Sequence, residues 1–261
     1  VYRGCLTQNA DVLSFGAEQV YYPLYLTTGE GIQQDYSYHQ HGNQFYTGGY
    51  GYAYISGISA IALYTVDTPY ALSTEKFDLL SKFTRVGYIP VIRGQNFNYN
   101  VLGRGLSRPG ALNQSGFGTI LGTMKQLDPV NETEYENAIR RLQGLEDPSY
   151  GLTPSNTHFW RSDYTLHQRP GYTVDIRMAS IYTCRNENGN GENIKGYFLT
   201  DGAMDIAING DEYIDIFPVW DWAKIPGVTS PAVSTIPKPG QWQTSGTSTF
   251  VGGVSDSIYS V

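Results

Sequence analysis

Basic residues are scarce in this 261-residue chain: 17 Lys and Arg stand against 24 Asp and Glu, for a net charge of −7. Broad phosphate binding draws on clustered cations, so this balance argues against a general nucleic-acid binder. There is no run of about 18 apolar residues, and no membrane span is expected. Cysteine is nearly absent. Cys5 and Cys184 lie far apart without metal-ligand spacing; a single bridge is open, and two buried thiols are the favoured reading. The start, Val1-Tyr2-Arg3-Gly4-Cys5, has neither an initiator methionine nor the apolar region of a signal peptide, and reads as a processing or cloning boundary. No internal repeat or low-complexity stretch is present.

What the chain does have is tyrosine, 22 copies, together with 10 Phe, 4 Trp and 30 Gly. Such a content suits a polar aromatic groove for sugars or peptides, and equally a tyrosine-rich sheet with no binding role. The densest stretch runs from Gln34 to Gly51. It holds His39 and His41, the tyrosines 36, 38, 46 and 50, and the glycines 42, 48, 49 and 51. Its apolar residues follow neither a 3.6 nor a 2 period, and its polar aromatic groups need partners if buried, so it reads as chemistry rather than core. Histidine and tyrosine both transfer protons, and the glycines let backbone approach a ligand closely.

The pattern changes near residue 150. Before it, Gly49 to Tyr64 carries an apolar face through Ala53, Ile55, Ile58, Ile61 and Ala62, and Ser73 to Tyr88 reads as a capped helix with Phe77, Leu80 and Phe83 on one side. Asn131-Glu132-Thr133-Glu134 has the spacing of a capping box opening a helix through Ile139 and Leu142, stopped by Gly144 and Pro148. Long glycine-rich loops, 27–49 and 93–119, separate these helices, and loops of that length usually serve a site. From Phe159 onward the period becomes two, in Tyr172 to Met178 and in Ala203 to Ile208, with Asn209-Gly210 as a hairpin turn signal. Residues 257–261 also have strand character. Helices and strands in separate blocks point to a multidomain α-then-β chain, 1–150 and 151–261, not a parallel α/β sheet.

Three polar clusters carry possible chemistry. Arg104 and Arg108, four apart among glycines, form a ready clamp for a carboxylate or sulfate, or are solvated loop arginines. Asn186 to Asn193, with Glu187 and Asn190, looks on its own like a polar hairpin loop. Trp220-Asp221-Trp222 reads as sheet-edge packing more than as a sugar platform.

Taken together and in order, Gln34-Asp35-Tyr36-Ser37, His41 and Tyr50 nine apart, Arg104 with Arg108, Arg169-Pro170-Gly171-Tyr172, Glu187 with Gly189-Asn190-Gly191-Glu192-Asn193, and Trp220 to Gly227 resemble the family 8 polysaccharide lyases, with the chondroitin AC lyases as the nearest branch and hyaluronate and xanthan lyases as relatives. The resemblance implies the second half of an incomplete (α/α) toroid followed by the first part of an antiparallel β-sandwich, an internal segment of a larger secreted or periplasmic bacterial lyase. It implies cleavage of chondroitin sulfate or hyaluronan by β-elimination at a uronic acid. Removing the weakly acidic C5 proton requires the adjacent carboxylate's charge to be offset and the enolate stabilised; the family's asparagine for this purpose lies upstream of Val1.

Carried over by position, Tyr50 is base and then acid, and His41 assists near the carboxylate and C5. Arg104 bonds the sugar and the tyrosine oxygen, its charge favouring the phenolate. Arg108 and Asn190 bind substrate, and Glu187 and Asn190 reach in from the sandwich to orient Arg104 and His41. No cofactor is implied. A calcium near Asp221 is not expected, because Ala223 stands where a carboxylate would be. The partners implied are an acidic polysaccharide and the remaining N- and C-terminal parts of the same lyase. A non-catalytic polysaccharide-binding segment, or a lyase for another acidic glycan such as xanthan, is the alternative. Hydrolysis would need two carboxylates flanking the bond, and the segments concerned offer only Asp35, which equally suits capping a turn, and Glu187. His39 and His167 read as structural.

Overall fold

The computed structural model describes residues 1–242 and 244–255; the expected strand at 257–261 lies outside the described residues. Helices come first: α1 (Tyr2–Leu6), α2 (Ala10–Tyr21), α3 (Tyr50–Thr65), α4 (Thr74–Lys82), α5 (Phe117–Leu127) and α6 (Glu132–Leu142). Between α2 and α3 lies a short antiparallel pair, β1 (Gly31–Ile32) with β2 (Tyr38–His39); between α4 and α5 lies a second, β3 (Ile92–Arg93) with β4 (Asn96–Phe97). The chain then forms one antiparallel meander, β5 (Ser155–Phe159), β6 (Tyr164–Arg169), β7 (Tyr172–Met178) and β8 (Asp201–Ala207), in that spatial order.

Helix α3 buries Ile55, Ile58 and Ala62 as its periodicity demands, while Ala53 is exposed and lines a cleft instead. Ser73 caps α4 by accepting from the Lys76 N–H, and Phe83 sits in a π-helical extension, Phe83–Tyr88, that continues α4 to the expected end. The capping box at α6 is a matter of position only. The Asn131 side chain donates to the Asp128 carboxylate at 2.9 and 3.0 Å and leaves the helix terminus uncapped by side chains. Helix α5 begins inside the stretch expected to be loop, because Phe117 and Leu121 find a fully buried place against α3 and α6.

In the sheet the alternation has a polar face inward. Thr173, Asp175 and Arg177 of β7 and Asp205 of β8 are buried, whereas Ile206 is 46% exposed. The reason lies in the helical part. Residues 96–101 pack against this face with backbone and amide groups that need acceptors: the Tyr99 N–H donates to Asp205 (2.8 Å) and Asn100 Nδ2 to Asp175 (2.6 Å). Arg93 completes the junction, its guanidinium donating to the carbonyls of Ile208, Arg169 and Pro170.

The hairpin signalled by Asn209-Gly210 does not form among the described residues. The turn is present, but Glu212 accepts the N–H groups of Ile208, Asn209 and Gly210 at 2.7–2.8 Å, and Gly210 packs on the Arg93 carbonyl, so no strand follows. Both cysteines are free, Cys184 buried and Cys5 exposed, which corrects the expectation of two buried thiols: α1 has only Gly4 buried. No helix among the described residues is long and apolar enough to cross a membrane.

Candidate active site

Tyr50 is the first residue of α3, preceded by Gly48 and Gly49. A side chain at Gly49 would meet the Tyr46 ring at 2.8 Å, so glycine here lets that ring pack beneath the helix start. Gly103, at φ +55°, meets the same ring from the other side, with its Cβ position 2.5 Å from Cζ. The Tyr46 ring is thereby held between two backbone segments and edge-on to Tyr50, 4.9 Å between centroids.

His41 sits at φ +58° in the β2–α3 loop and points its ring at both Tyr50 and the sheet domain. Its Nδ1 lies 2.9 and 3.0 Å from the two Glu187 carboxylate oxygens, and the Tyr50 hydroxyl lies 3.3 Å from Nε2. A carboxylate only accepts, so Nδ1 carries a hydrogen, and in the neutral ring Nε2 accepts from the phenol. The result is a carboxylate–imidazole–phenol line that crosses from sheet domain to helical domain.

Arg104 braces this line. Its Nη1 donates to Glu187 in a tight, buried ion pair and to the Tyr46 oxygen at 3.3 Å, its Nε donates to Glu192 at 3.0 Å, and its guanidinium lies 5.2 Å from the Trp242 ring centroid. Burial alone would lower its pKa; hydrogen bonding with Tyr50, the Tyr46 oxygen and Glu187 together raise it above the ordinary arginine value. The cation is therefore permanent beside the Tyr50 oxygen.

The two phenols differ in solvent access. Tyr46 is buried, and that burial, with the Glu187 charge next, drives its pKa well up, so it stays protonated. Tyr50 is half-buried and lines a cleft of about 540 Å³ together with Tyr46, Tyr52, Arg104, Arg108 and Gln114. Among the described residues, no Asp or Glu lines that cleft. Asp35 is elsewhere, capping its own turn through the Ser37 N–H and hydroxyl (3.0 and 2.7 Å) and the Arg161 N–H (2.6 Å).

Arg108 is 56% exposed at the cleft edge and paired with Glu192. Asn190 is exposed at a left-handed loop tip and bonds to neither Arg104 nor His41, which corrects the orienting role expected for it. That task falls to residues the motif left without a role. Glu192 holds both arginines, and Asn193 Nδ2 donates to the Glu187 carbonyl at 2.8 Å. Trp242 stacks edge-on against His41, 4.9 Å between centroids, from 201 residues away in sequence. No local pattern marks it; Glu192 lay within the polar run and Tyr46 within the tyrosine run.

His39 is buried, its Nε2 bonded to Ser162 (2.9 Å), and desolvation lowers its pKa to about 3, so it is a neutral structural group. His167 stacks on Tyr172 across the β6–β7 turn. Trp222 is buried and Trp220 packs on Tyr99, so this segment covers the sheet–helix junction. Asp221 accepts from the Ala223 N–H and pairs with Lys224.

The comparisons with known proteins agree along both halves. The N-terminal α-helical domain model of polysaccharide lyase family 8 matches residues 1–143, and that family's super-sandwich domain model matches 154–261. The chain belongs to polysaccharide lyase family 8. Chondroitinase-AC of Pedobacter heparinus is 43% identical over 260 residues, 99% of this chain and 37% of that protein. Hyaluronate lyase HylB of Enterococcus faecalis is 26% identical over 245 residues, covering 24% of its own length. A solved chondroitinase AC lyase, studied with bound oligosaccharides, superposes with a TM-score of 0.96 at 42% identity over 99% of this chain and 39% of its own. A Paenibacillus xanthan lyase shares the fold at a TM-score of 0.75 and 21% identity. The chain thus spans well under half the length of these relatives, and within the family it combines helical-domain and sandwich-domain parts.

Proposed function

We propose that this chain is the part of a glycosaminoglycan lyase that carries the base, its partners and one wall of the substrate cleft, with the domain boundary near residue 150. The observation carrying this reading is the Glu187–His41–Tyr50 line beside Arg104, opening on a cleft that no carboxylate among the described residues lines. Two carboxylates flanking a bond are what glycoside hydrolysis requires, whereas a phenol between an imidazole acceptor and a guanidinium suits proton abstraction next to a carboxylate.

In the reaction proposed, Tyr50 as phenolate takes the C5 proton of a uronic acid, and the electrons form an enolate with the C6 carboxylate. The enolate collapses to a C4=C5 double bond as the C4–O bond breaks, and the Tyr50 hydroxyl returns its proton to the leaving oxygen. No water is consumed. His41 holds the phenol, Glu187 fixes the imidazole tautomer, and Arg104 stands beside the Tyr50 oxygen and meets the sugar. Arg108, exposed at the cleft edge, and Asn190, exposed at its loop tip, bind the acidic chain.

The relative at 43% identity, named a chondroitinase-AC, favours chondroitin sulfate as substrate over hyaluronan or xanthan. A polymer of this size is met outside the cytoplasm, which supports a secreted or periplasmic site of action. The exposed aromatic residues Tyr2, Phe15 and Tyr64, 64–65% exposed, suit packing against further helices of the same lyase.

The test is to incubate the chain with chondroitin sulfate or hyaluronan, alone and with the upstream helical segment of its parent protein, and to follow ultraviolet absorbance of the unsaturated product. Negligible turnover alone and restored turnover with the segment are expected. Polymer binding without elimination in the complete protein would favour a non-catalytic binding segment.

A further inference from the structure

Glu192 receives three hydrogen bonds from two arginines. Arg104 Nε donates to Oε2 (3.0 Å), Arg108 Nε to Oε1 (2.5 Å) and Arg108 Nη2 to Oε2 (3.0 Å). Arg108 is thus pinned along one edge of its planar fork, and its Nη1 makes no hydrogen bond among the described residues. The two guanidiniums, four residues apart on one turn of 3₁₀ helix and its end, repel each other, and Glu192 is the carboxylate they share.

The loop that delivers this carboxylate turns tightly through left-handed backbone. Asn190, Gly191 and Asn193 all take left-handed backbone angles, φ +55°, +79° and +51°. It is held by the reciprocal Gly189–Glu192 backbone pairing, by the Asn193 N–H donating to Ser107 Oγ (3.1 Å) and by Asn193 Nδ2 on the Glu187 carbonyl. The pair with half-exposed Arg108 contributes little to stability. A loop tied at three points so that one carboxylate meets two arginines fits a geometric task.

Resting on the lyase reading above, we propose that Glu192 is a positioning residue that clamps Arg104 and Arg108 into one unit: it holds Arg104 by its Nε beside Tyr50 and turns the free edge of Arg108 toward an acid group of the polymer. The clamp has an electrostatic consequence. Its negative charge cancels part of the attraction the two arginines exert on a polyanion, so geometry is gained at the expense of affinity.

The test uses the full-length protein that contains this chain, with Glu192→Gln and Glu192→Asp, and chondroitin sulfate as probe. Glu192→Gln, which keeps an acceptor and loses the charge, is expected to lower kcat by about tenfold or more. It should also lower KM several-fold and steepen the dependence of affinity on salt. Glu192→Asp keeps the charge on a shorter arm that cannot span both arginines. It should lower kcat with the salt dependence unchanged.

A parallel arm measures polymer binding by calorimetry over a salt series, in the Tyr50→Phe background with and without Glu192→Gln. If the parent protein shows no elimination, the lyase reading has failed, and the binding arm alone decides the clamp. Tighter binding with a steeper salt dependence supports it. A Glu192→Gln variant with kcat within twofold of the parent, or with affinity and salt dependence unchanged and only thermal stability reduced, overturns it.

Discussion

Removing Glu187 is the perturbation that most directly interrogates the assembled site. Its side chain is fully buried and serves Arg104 Nη1 and His41 Nδ1 at once, so Glu187→Ala strips a buried cation of its tightest partner and an imidazole of the group that fixes its tautomer. Breaking a buried pair costs about 3–5 kcal/mol. Arg104 keeps Glu192 and the Tyr46 oxygen, which argues for the lower end, about 3 kcal/mol, or a fall in Tm of about 6–12 °C at some 2–4 °C per kcal/mol for a domain of this size.

The kinetic effect follows from geometry. Without the carboxylate, His41 Nε2 is no longer assured as the acceptor for Tyr50, and Arg104 can swing from the phenol; a misplacement of this order lowers kcat by on the order of 10². Because Glu187 does not line the cleft, KM should change little. Initial rates of unsaturated-product formation and thermal unfolding of the parent protein measure both quantities. Glu187→Gln, which keeps an acceptor for the imidazole, guards against a misfolded alanine variant and should lose only about tenfold in kcat. A kcat for Glu187→Ala within threefold of the parent, or a loss expressed in KM instead, would refute the reasoning.

Tyr50→Phe removes the titrating oxygen while keeping the ring against Tyr46, and is expected to lower kcat by on the order of 10³ with substrate affinity nearly unchanged; retention of a tenth of the activity would move the base to His41. Arg108→Ala should mainly raise KM and flatten the salt dependence of affinity, since one exposed charge contact is lost, and an unaltered KM in steady-state assays at two ionic strengths would contradict that assignment. Desolvation raises both carboxyl pKa values in the buried Asp175–Asp205 pair. Their stabilising proton uptake is present below the ordinary Asp range and is lost as pH rises through the raised values. Denaturant unfolding should therefore show stability falling as pH climbs above about 4 in this respect, and Asp205→Asn should flatten that slope; an unchanged slope would count against a raised pKa at Asp205.

Local physics reached the sequence where a signal is short-ranged. Helix α3 follows from apolar residues 55, 58 and 62 on one face, α4 from Ser73 as its cap, and the strands from a period of two. His41 and Tyr50 stand out through spacing and composition, because they and the glycines that admit them lie within one stretch of chain. Other features needed the folded molecule. The inward polar face of β7 and β8 exists because residues 96–101 bring N–H groups that Asp205 and Asp175 of the sheet accept. The strand signal after Asn209-Gly210 lost to Glu212, which takes the same backbone donors first.

The site itself divides the same way. Alternation and caps depend on neighbours a few residues apart, so the sequence by itself determined the helix-then-strand order, the loops that carry His41, Arg104 and Arg108, and the helix that starts at Tyr50. The ion pair of Arg104 with Glu187, 83 residues on, the shared carboxylate of Glu192 and the Trp242 ring on His41 depend on the sheet domain closing over the helical one. Only tertiary structure decided these, because a buried charge is tolerated only where a distant partner arrives to meet it.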